Sequence, residues 1–341
     1  MNTPPLTRVF AVALIAALAA CGGGGGGGGG DGLASAPTGS GGSAGSGGGI
    51  GGTGLSSSGT IDGFGSIFVN GIEFETESAE IVVDGEISGE DALRLGMVVV
   101  VKGTVDDSGT KGTATRVVFD DEVQGPVDTI EPGQDGDSLL LRILGVAVIA
   151  ERTGTVFDDV SFDTLAVGDI LEVSGFPESG GVLRATRIEK KSLAGSAAEV
   201  ELKGTVQNVD GNTFKLGDYT VDFSSADLIG LPGGSVAAGQ VVEVKGSLDS
   251  GVIRASRVEL EEGISGALGD DEEVSVQGTI TDFQGAASFR VNGVRVDASS
   301  ATRIPTDLLL GNGQVIEAEG DWNGSVLAAR TIAARRGRVE I

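Results

Sequence analysis

A pattern with two glycines seven positions apart occurs four times, and it limits the fold more than any other feature of the chain. The copies read LGMVVVVKG from Leu95, VGDILEVSG from Val167, AGQVVEVKG from Ala238 and NGQVIEAEG from Asn312. Apolar residues alternate with other residues between the glycines, which is the period of a β-strand that buries one face. We therefore expect the glutamates of the other face to lie towards solvent. These are Glu172, Glu243 and Glu317.

Further strand signals surround each copy of this signature. A glycine-led strand precedes it at Gly59, Gly125, Gly204 and Gly278, and a short strand with an A-x-x-I or A-x-x-V pattern follows it. The dipeptides Asn70-Gly71 and Asn292-Gly293 suit the type I′ turn of a hairpin. Each copy thus offers about five short strands with room for one turn of helix, which predicts an all-β chain of four tandem OB-like barrels. A small sandwich is the alternative.

The spacing of the copies predicts the organisation of the chain. We expect a lipoprotein signal peptide and lipobox at 1–21, a Gly/Ser-rich flexible tether at 22–55, and β-repeats at 56–122, 123–193, 199–263 and 273–338. Units this small have little stability alone, so neighbouring repeats are expected to pack end to end.

The first residues have the pattern of an export signal. The apolar run from Val9 to Ala20 would rise about 18 Å as a helix, well short of the roughly 30 Å needed to span a bilayer. It ends in Leu18-Ala19-Ala20-Cys21, which resembles the lipobox of bacterial lipoproteins. The resemblance implies cleavage before Cys21, diacylglycerol on its thiol and, with Gly22 next, sorting to an outer membrane. An ordinary secretory signal is the alternative.

These motifs together resemble one family. The lipobox, the V-N-G hairpin, L-x-x-G-x-x-V-x-V-x-G and A-x-x-I are similar to bacterial lipoproteins built from tandem copies of domain of unknown function 5666, over about residues 56 to 335. The resemblance implies a fold and a location on the periplasmic face or cell surface, and it brings no catalytic residues. Repeat 2 departs from it, since Leu144-Gly145-Val146 replaces V-N-G and leaves that hairpin open to question.

Composition excludes several function classes. The chain has 49 acidic and 23 basic residues, a net charge of -26, which disfavours phosphate backbones and makes nucleic acid an unexpected partner. It has no histidine, so histidine-based catalysis or metal ligation is impossible. The segment Ser108-x-x-Lys111 lies between glycines and is interpreted as a turn. No cofactor and no metal site are predicted.

Three charged features have a structural interpretation. The acidic stretches Asp120–Glu122 and Asp270–Glu273 lie between repeats and are taken as solvated linkers, with weak calcium binding as the alternative. Asn208-x-Asp210-x-Asn212 lacks the glycine of a calcium loop and is taken as a turn. The C-terminal arginines are taken as a solvated strand, or alternatively as a clamp on an acidic neighbour. They are Arg330, Arg335, Arg336 and Arg338.

The function expected from these features is a non-enzymatic binding or scaffold role in the cell envelope. Several similar faces would bind a repetitive or cationic partner, such as an envelope polymer or a pilus, with raised effective concentration. No binding residues can be named. One alternative is a carboxylate-dependent glycan hydrolase, although the chain has only one Trp and one Tyr to stack on sugars. An oligonucleotide-binding OB protein is the other.

Overall fold

The computed structural model describes residues 53–192, 198–268 and 273–335. The lipobox Leu18–Cys21 and residues 22–52 of the predicted tether lie outside this part. The first strand begins at Thr53, and Leu55 is already part of a barrel core with 6% of its surface exposed. The folded region therefore starts before residue 56, where the sequence pattern placed it. Within the described part, no helix has the length and apolarity needed to cross a membrane.

The described residues form 25 strands and very little helix. Repeat 1 contains β1 (Thr53–Gly63), β2 (Ile67–Val69), β3 (Ile72–Glu75), β4 (Glu80–Val83), β5 (Glu86–Ser88), β6 (Val98–Val105) and β7 (Lys111–Phe119). Repeat 2 contains β8 (Val123–Pro132), β9 (Ser138–Ile143), β10 (Val146–Glu151), β11 (Val156–Asp158), β12 (Ile170–Glu178) and β13 (Val182–Lys191). Repeat 3 contains β14 (Ala198–Asp210), β15 (Thr213–Leu216), β16 (Tyr219–Asp222), β17 (Asp227–Ile229), β18 (Val241–Asp249) and β19 (Val252–Leu260). Repeat 4 contains β20 (Glu273–Gly285), β21 (Ser288–Val291), β22 (Val294–Asp297), β23 (Thr302–Ile304), β24 (Val315–Trp322) and β25 (Leu327–Ala334). The helices are α1 (Gly263–Ala267) and two single 3-10 turns, Glu90–Ala92 and Pro232–Gly234.

Each repeat closes five strands into a barrel, which confirms the OB-like prediction and removes the sandwich alternative. In repeat 3, β14 pairs with β15 and β18, β15 with β16, and β18 with β19, all antiparallel. A parallel pair between β16 and β19 closes the ring. The same ring is formed by β1-β2-β3-β7-β6, by β8-β9-β10-β13-β12 and by β20-β21-β22-β25-β24. A further short strand lies parallel to the last barrel strand of each repeat.

Each of the two signature glycines is required for a different structural reason. The first lies in a left-handed turn in every repeat, with φ of 81° at Gly96 and 90° at Gly168, where a side chain would be strained. The second lies at a β-bulge, where the register between the signature strand and the last strand shifts. A Cβ on Gly103 would overlap the Thr113 carbonyl oxygen, and the other three repeats show the same close approach.

The glycines of the hairpin turns and of the first strands have related roles across the repeats. Asn70-Gly71 and Asn292-Gly293 form the predicted turns with positive φ at both positions, and Leu144-Gly145 of repeat 2 does the same at 50° and 82°. The hairpin that the sequence left open therefore exists. Gly125 is the third residue of β8, and a Cβ there would come within 2.7 Å of the Leu144 side chain. The first-strand glycine thus makes room for the hairpin turn.

The repeats associate in pairs and not end to end along the chain as expected. The hairpin strand covers only the second half of each first strand, so one edge of the first half is open. Repeats 1 and 4 join these edges in parallel, with Leu55–Ser58 of β1 against Glu273–Val276 of β20. Repeats 2 and 3 join them antiparallel through β8 and β14. The pairing removes exposed strand edges and produces sheets of 13 and 12 strands.

Apolar side chains fill the barrels as the period-two pattern predicts. Repeats 2 and 3 share one continuous core, whereas repeats 1 and 4 have one each. The strand positions of Phe68, Phe74, Phe214 and Phe289 predict core residues and not platforms for a ligand, and the last three are at most 2% exposed. Phe68 is the exception, since it is half-buried on the other face of β2. The shared core ties repeats 2 and 3 most closely together.

Candidate functional site

Three carboxylates from different parts of the chain meet at the junction of repeats 1, 2 and 3. Asp84 lies in the turn between β4 and β5, Asp121 in the connection between β7 and β8, and Glu201 in β14. One oxygen of each lies within 4.8 Å of one oxygen of both others. Asp121 is 1% exposed and Glu201 is 5% exposed, so this group, here named the carboxylate cluster, is a buried feature.

Lys245, on the signature strand of repeat 3, forms ion pairs with carboxylates of the cluster. The antiparallel register of β14 and β18 places Lys245 opposite Glu201, and its Nζ lies 2.8 Å from Glu201 Oε2. The same ammonium lies 3.3 Å from Glu243 Oε1 and donates a hydrogen bond of 3.2 Å to the Asp84 carbonyl oxygen. One lysine therefore links repeat 3 to the β4–β5 turn of repeat 1.

A second lysine lies two residues from Glu201 on the same strand. Lys203 stands opposite Glu243 in the β14–β18 register, and its Nζ lies 4.0 Å from Glu243 and 3.8 Å from Glu261. Lys203 and Lys245 thus share Glu243 between them. Each buried cation of this junction has at least two acidic neighbours.

Burial and like charges shift the titration of these groups. Burial, followed by the charges of Asp121 and Glu243, raises the pKa of Glu201 to about 11. Burial, followed by the charges of Asp84 and Glu172, raises the pKa of Asp121 well above its ordinary value. Burial disfavours the ammonium form of Lys245, but Glu201, Glu243 and Asp84 outweigh it and raise the pKa of the lysine. The raised pKa values of Glu201 and Asp121 favour their protonated forms, because full ionisation would place more negative charge at the junction than its lysines neutralise.

Two carboxylate oxygens of the cluster have no hydrogen-bond partner among the described residues. They are Asp121 Oδ1 and Glu201 Oε1, and both are inaccessible to solvent. A buried polar atom without a partner costs about 1–3 kcal/mol, and more when it is charged. The backbone of Asp121 orients the Asp84 side chain, since Asp84 Oδ1 accepts a hydrogen bond of 3.2 Å from the Asp121 backbone amide.

The signature glutamates do not face solvent as predicted. Glu172, Glu243 and Glu317 are 5%, 6% and 9% exposed. Glu172 pairs with Lys191 at 2.6 Å, and Glu317 accepts a hydrogen bond of 2.7 Å from Ser275 Oγ. The prediction is wrong because a neighbouring repeat covers the outer face of each signature strand.

The first acidic stretch is not a solvated linker. Its central residue Asp121 is buried and Glu122 is half-buried, since the connection runs between repeats and does not loop into solvent. Burial raises the pKa of Glu122, while the Lys203 charge opposes that shift. In the second stretch, residues 270–272 lie outside the described part, and Glu273 belongs to β20 and pairs with Arg330.

The remaining motifs have structural roles. Ser108 is exposed in the turn after β6, where its Oγ bonds Asp106 at 2.5 Å, which confirms the turn interpretation. Arg335 pairs with Glu317 and donates to the Asn70 carbonyl oxygen of repeat 1 at 3.2 Å. The expectation of a solvated strand is therefore wrong for Arg335. Arg330 is exposed as expected, and Arg336 and Arg338 lie outside the described residues.

The N–D–N segment is also placed by the structure. Asn208 to Asp210 end β14, and Gly211 and Asn212 form the turn before β15, so the segment lies at a hairpin turn as predicted. The predicted lipidation residue Cys21 lies outside the described part of the chain.

Two adjoining cavities of about 470 and 460 Å³ open beside the charged junction. Both are lined by Val100, Val118 and Asp120 of repeat 1 and by residues of α1. The first also has Arg116 and Arg257 in its wall. Charges of both signs and a modest apolar floor make this a surface cleft between repeats.

Comparison with known families assigns the repeats. A family model described as a domain of unknown function, DUF5666, matches residues 57–118, 124–189, 203–259 and 277–333, together more than half of the chain. The chain belongs to the DUF5666 family. Each DUF5666 segment coincides with one closed barrel.

Other comparisons add little to the DUF5666 assignment. No curated protein matches the chain. The chain is similar to a solved structure titled "drosophila Unr CSD456" at 12% identity, over 59% of this chain and 90% of that one, with a TM-score of 0.16. A score that low supports no argument about fold or function.

The carboxylate cluster was missed from the sequence, although one signal for it exists. The DUF5666 repeats can be aligned on their first-strand glycine, and the positions one and three before it are polar and uncharged in repeats 1 and 4 (Ser58 and Ser56, Gln277 and Ser275). In repeat 3 the same positions are Lys203 and Glu201. In repeat 2 they are Gln124 and Glu122, so repeat 3 alone has a charged residue at both positions, and this marks it as different.

Proposed function

We propose that the protein is an exported, lipid-anchored scaffold or binding module of the cell envelope, without enzymatic activity. The observation that supports this most is the joining of four barrels through β1–β20 and β8–β14. Buried polar groups reinforce the first of these joints, since Asn70 Nδ2 donates to Ser57 Oγ at 3.0 Å and to Ser275 Oγ at 3.1 Å. Fixed barrels present their surfaces at constant separations, which suits a platform for other molecules.

The anchor in this proposal is diacylglycerol on Cys21, preceded by the lipobox Leu18-Ala19-Ala20. Residues 22–52 separate that cysteine from the strand that begins at Thr53. A Gly-rich coil of this length reaches roughly 30 Å on average. The barrels would then stand off an outer membrane, on its periplasmic face or at the cell surface.

The hairpin faces supply candidate contact surfaces, and they differ between repeats. The central cross-strand pair of each hairpin faces away from the core, as its burial pattern indicates. The pairs are Phe68 with Glu73, Arg142 with Ala147, Lys215 with Thr220, and Arg290 with Arg295. The repeats are therefore not interchangeable binding sites. A repetitive polymer or a pilus would meet several of these faces at once, whereas the net charge of -26 favours a cationic partner on the acidic remainder of the surface.

The position of the cluster carboxylates favours the scaffold over the hydrolase alternative. Glycoside hydrolysis uses two carboxylates that flank a bound sugar, so both must reach the substrate. Asp121 and Glu201 are 1% and 5% exposed and lie between barrels. A polysaccharide has no access to them in this arrangement.

The test is crosslinking of the anchored protein in intact cells. A photoreactive residue at Arg295, on the exposed hairpin face of repeat 4, should capture a partner that one at Asp107, in the exposed turn after β6, does not. Cys21→Ser should release the protein from the membrane fraction and abolish acyl groups in its mass spectrum. Equal yields from both probe positions, or retention of the Cys21→Ser variant on the membrane, would remove the basis of the proposal.

A further inference from the structure

The geometry of the carboxylate cluster matches an oxygen-ligated cation site. One oxygen each from Asp84, Asp121 and Glu201 lies within 4.8 Å of the others. Calcium takes six to eight oxygen ligands at about 2.3–2.6 Å in a flexible geometry, whereas magnesium requires a near-ideal octahedron at about 2.0–2.1 Å. Carboxylate oxygens from three separate segments that lie within 4.8 Å of one another can converge on one ion, and such a set suits the tolerant geometry of calcium better than the strict geometry of magnesium.

A second observation is independent of this spacing. Asp121 Oδ1 and Glu201 Oε1 are buried and accept no hydrogen bond from any described residue. The other oxygen of Glu201, Oε2, is occupied by Lys245 at 2.8 Å. Free carboxylate oxygens at the centre of a protein normally have a donor or an ion as a partner.

The local excess of acidic groups also favours binding of a divalent cation. Asp84, Asp121, Glu201, Glu243 and Glu261 lie around two ammonium groups, those of Lys245 and Lys203. Five carboxyl groups against two lysines leave an excess of formal negative charge at a junction where Asp121 and Glu201 are buried. Carboxylate oxygens without any nitrogen or sulfur ligand are the set preferred by hard cations such as calcium.

We propose that the junction binds one calcium ion through Asp84, Asp121 and Glu201. The three ligands come from repeat 1, the connection to repeat 2, and repeat 3. The ion would fasten repeat 1 to the place where β8 and β14 pair, since repeat 1 shares no sheet with repeats 2 and 3. This site is separate from the hairpin faces and from the lipid anchor.

The experiment is calorimetric titration of calcium chloride into the full chain after treatment with a chelator. The wild-type protein should bind one ion per chain with saturation by the millimolar range, and magnesium should bind more weakly. Asp121→Asn and Glu201→Gln each remove one ligand charge and should weaken binding by about tenfold or more. Glu317→Gln is the matched control, since Glu317 is also buried and cation-paired but lies at the junction of repeats 4 and 1.

A stability measurement separates the site from a general effect of acidic charge. Calcium should raise the thermal midpoint of the wild-type protein and of Glu317→Gln, and should leave Asp121→Asn almost unchanged. Asp121→Asn should fold in excess chelator, because it removes a buried negative charge. Absence of saturable binding in the wild-type protein would overturn the proposal. Equal weakening by Asp121→Asn and Glu317→Gln would overturn it too, since that pattern indicates nonspecific binding to an acidic surface.

Discussion

Replacing Lys245 with methionine should destabilise the protein far more than the same change at the equivalent position of repeat 1. Lys245 Nζ contacts Glu201 at 2.8 Å and Glu243 at 3.3 Å, and both glutamate side chains are less than a tenth exposed. Removing one partner of a buried ion pair typically costs about 3–5 kcal/mol. The Lys245 side chain is 20% exposed, so we expect the lower end, about 3 kcal/mol.

Lys102 is the matched control for this substitution. It occupies the same position before the second signature glycine, but it forms no ion pair with any residue that the structure describes. Lys102→Met should change the free energy of unfolding by about 0.5 kcal/mol or less. Urea denaturation followed by far-ultraviolet circular dichroism, in excess chelator at neutral pH, measures both variants. The electrostatic argument would be refuted if Lys245→Met and Lys102→Met were equally mild at neutral pH.

Three further predictions concern other joints of the fold. Gly175→Ala places a Cβ against the Arg184 carbonyl oxygen at the bulge of repeat 2 and should cost about 1–3 kcal/mol, measured by the same urea denaturation. Arg335→Leu leaves the buried carboxylate of Glu317, which is 9% exposed, without its cation and should lower the thermal midpoint. Arg330→Leu changes an exposed ion pair with Glu273 and should lower the free energy of unfolding by less than about 1 kcal/mol. Burial, then the charges of Glu273 and Glu317, raises the pKa of Glu319, so its ionisation opposes folding as the pH rises above the unfolded value. Glu319→Gln should therefore stabilise the protein by about 0.2–1 kcal/mol at alkaline pH and have little effect in acid. Equal stabilisation at alkaline and acid pH would contradict the raised pKa of Glu319.

The barrel itself could be predicted from the sequence because its signals are local. The alternation around Val242 and Val244 fixes which face of a strand enters the core, and the glycine pair fixes a turn and a bulge. Four repetitions of the same local signals point to four copies of one unit. The Leu144-Gly145 turn is the exception, because the sequence left that hairpin open and only the structure shows the room that Gly125 provides for it.

The contacts between repeats could not be predicted in the same way. Period-two alternation shows that Glu243 points away from its own core, but it does not show that another repeat covers that side. The choice of β20 as the partner of β1 depends on the edges left open in both barrels, which is a property of the folded units. The carboxylate cluster forms only when repeats 1, 2 and 3 pack together, so in the sequence its members look like ordinary surface acids.

The joint between the first and last repeats has a consequence for biogenesis. Thr60 bonds Gln277, which is 217 positions later in the chain. The open edge of β1 stays without its partner until repeat 4 has been delivered and folded, and loop closure over such a separation is slow. A nascent molecule would expose a ready template for strand addition by other chains during that interval. Holding chaperones that shield β-edges should therefore raise the yield of this protein more than factors that accelerate folding of single barrels.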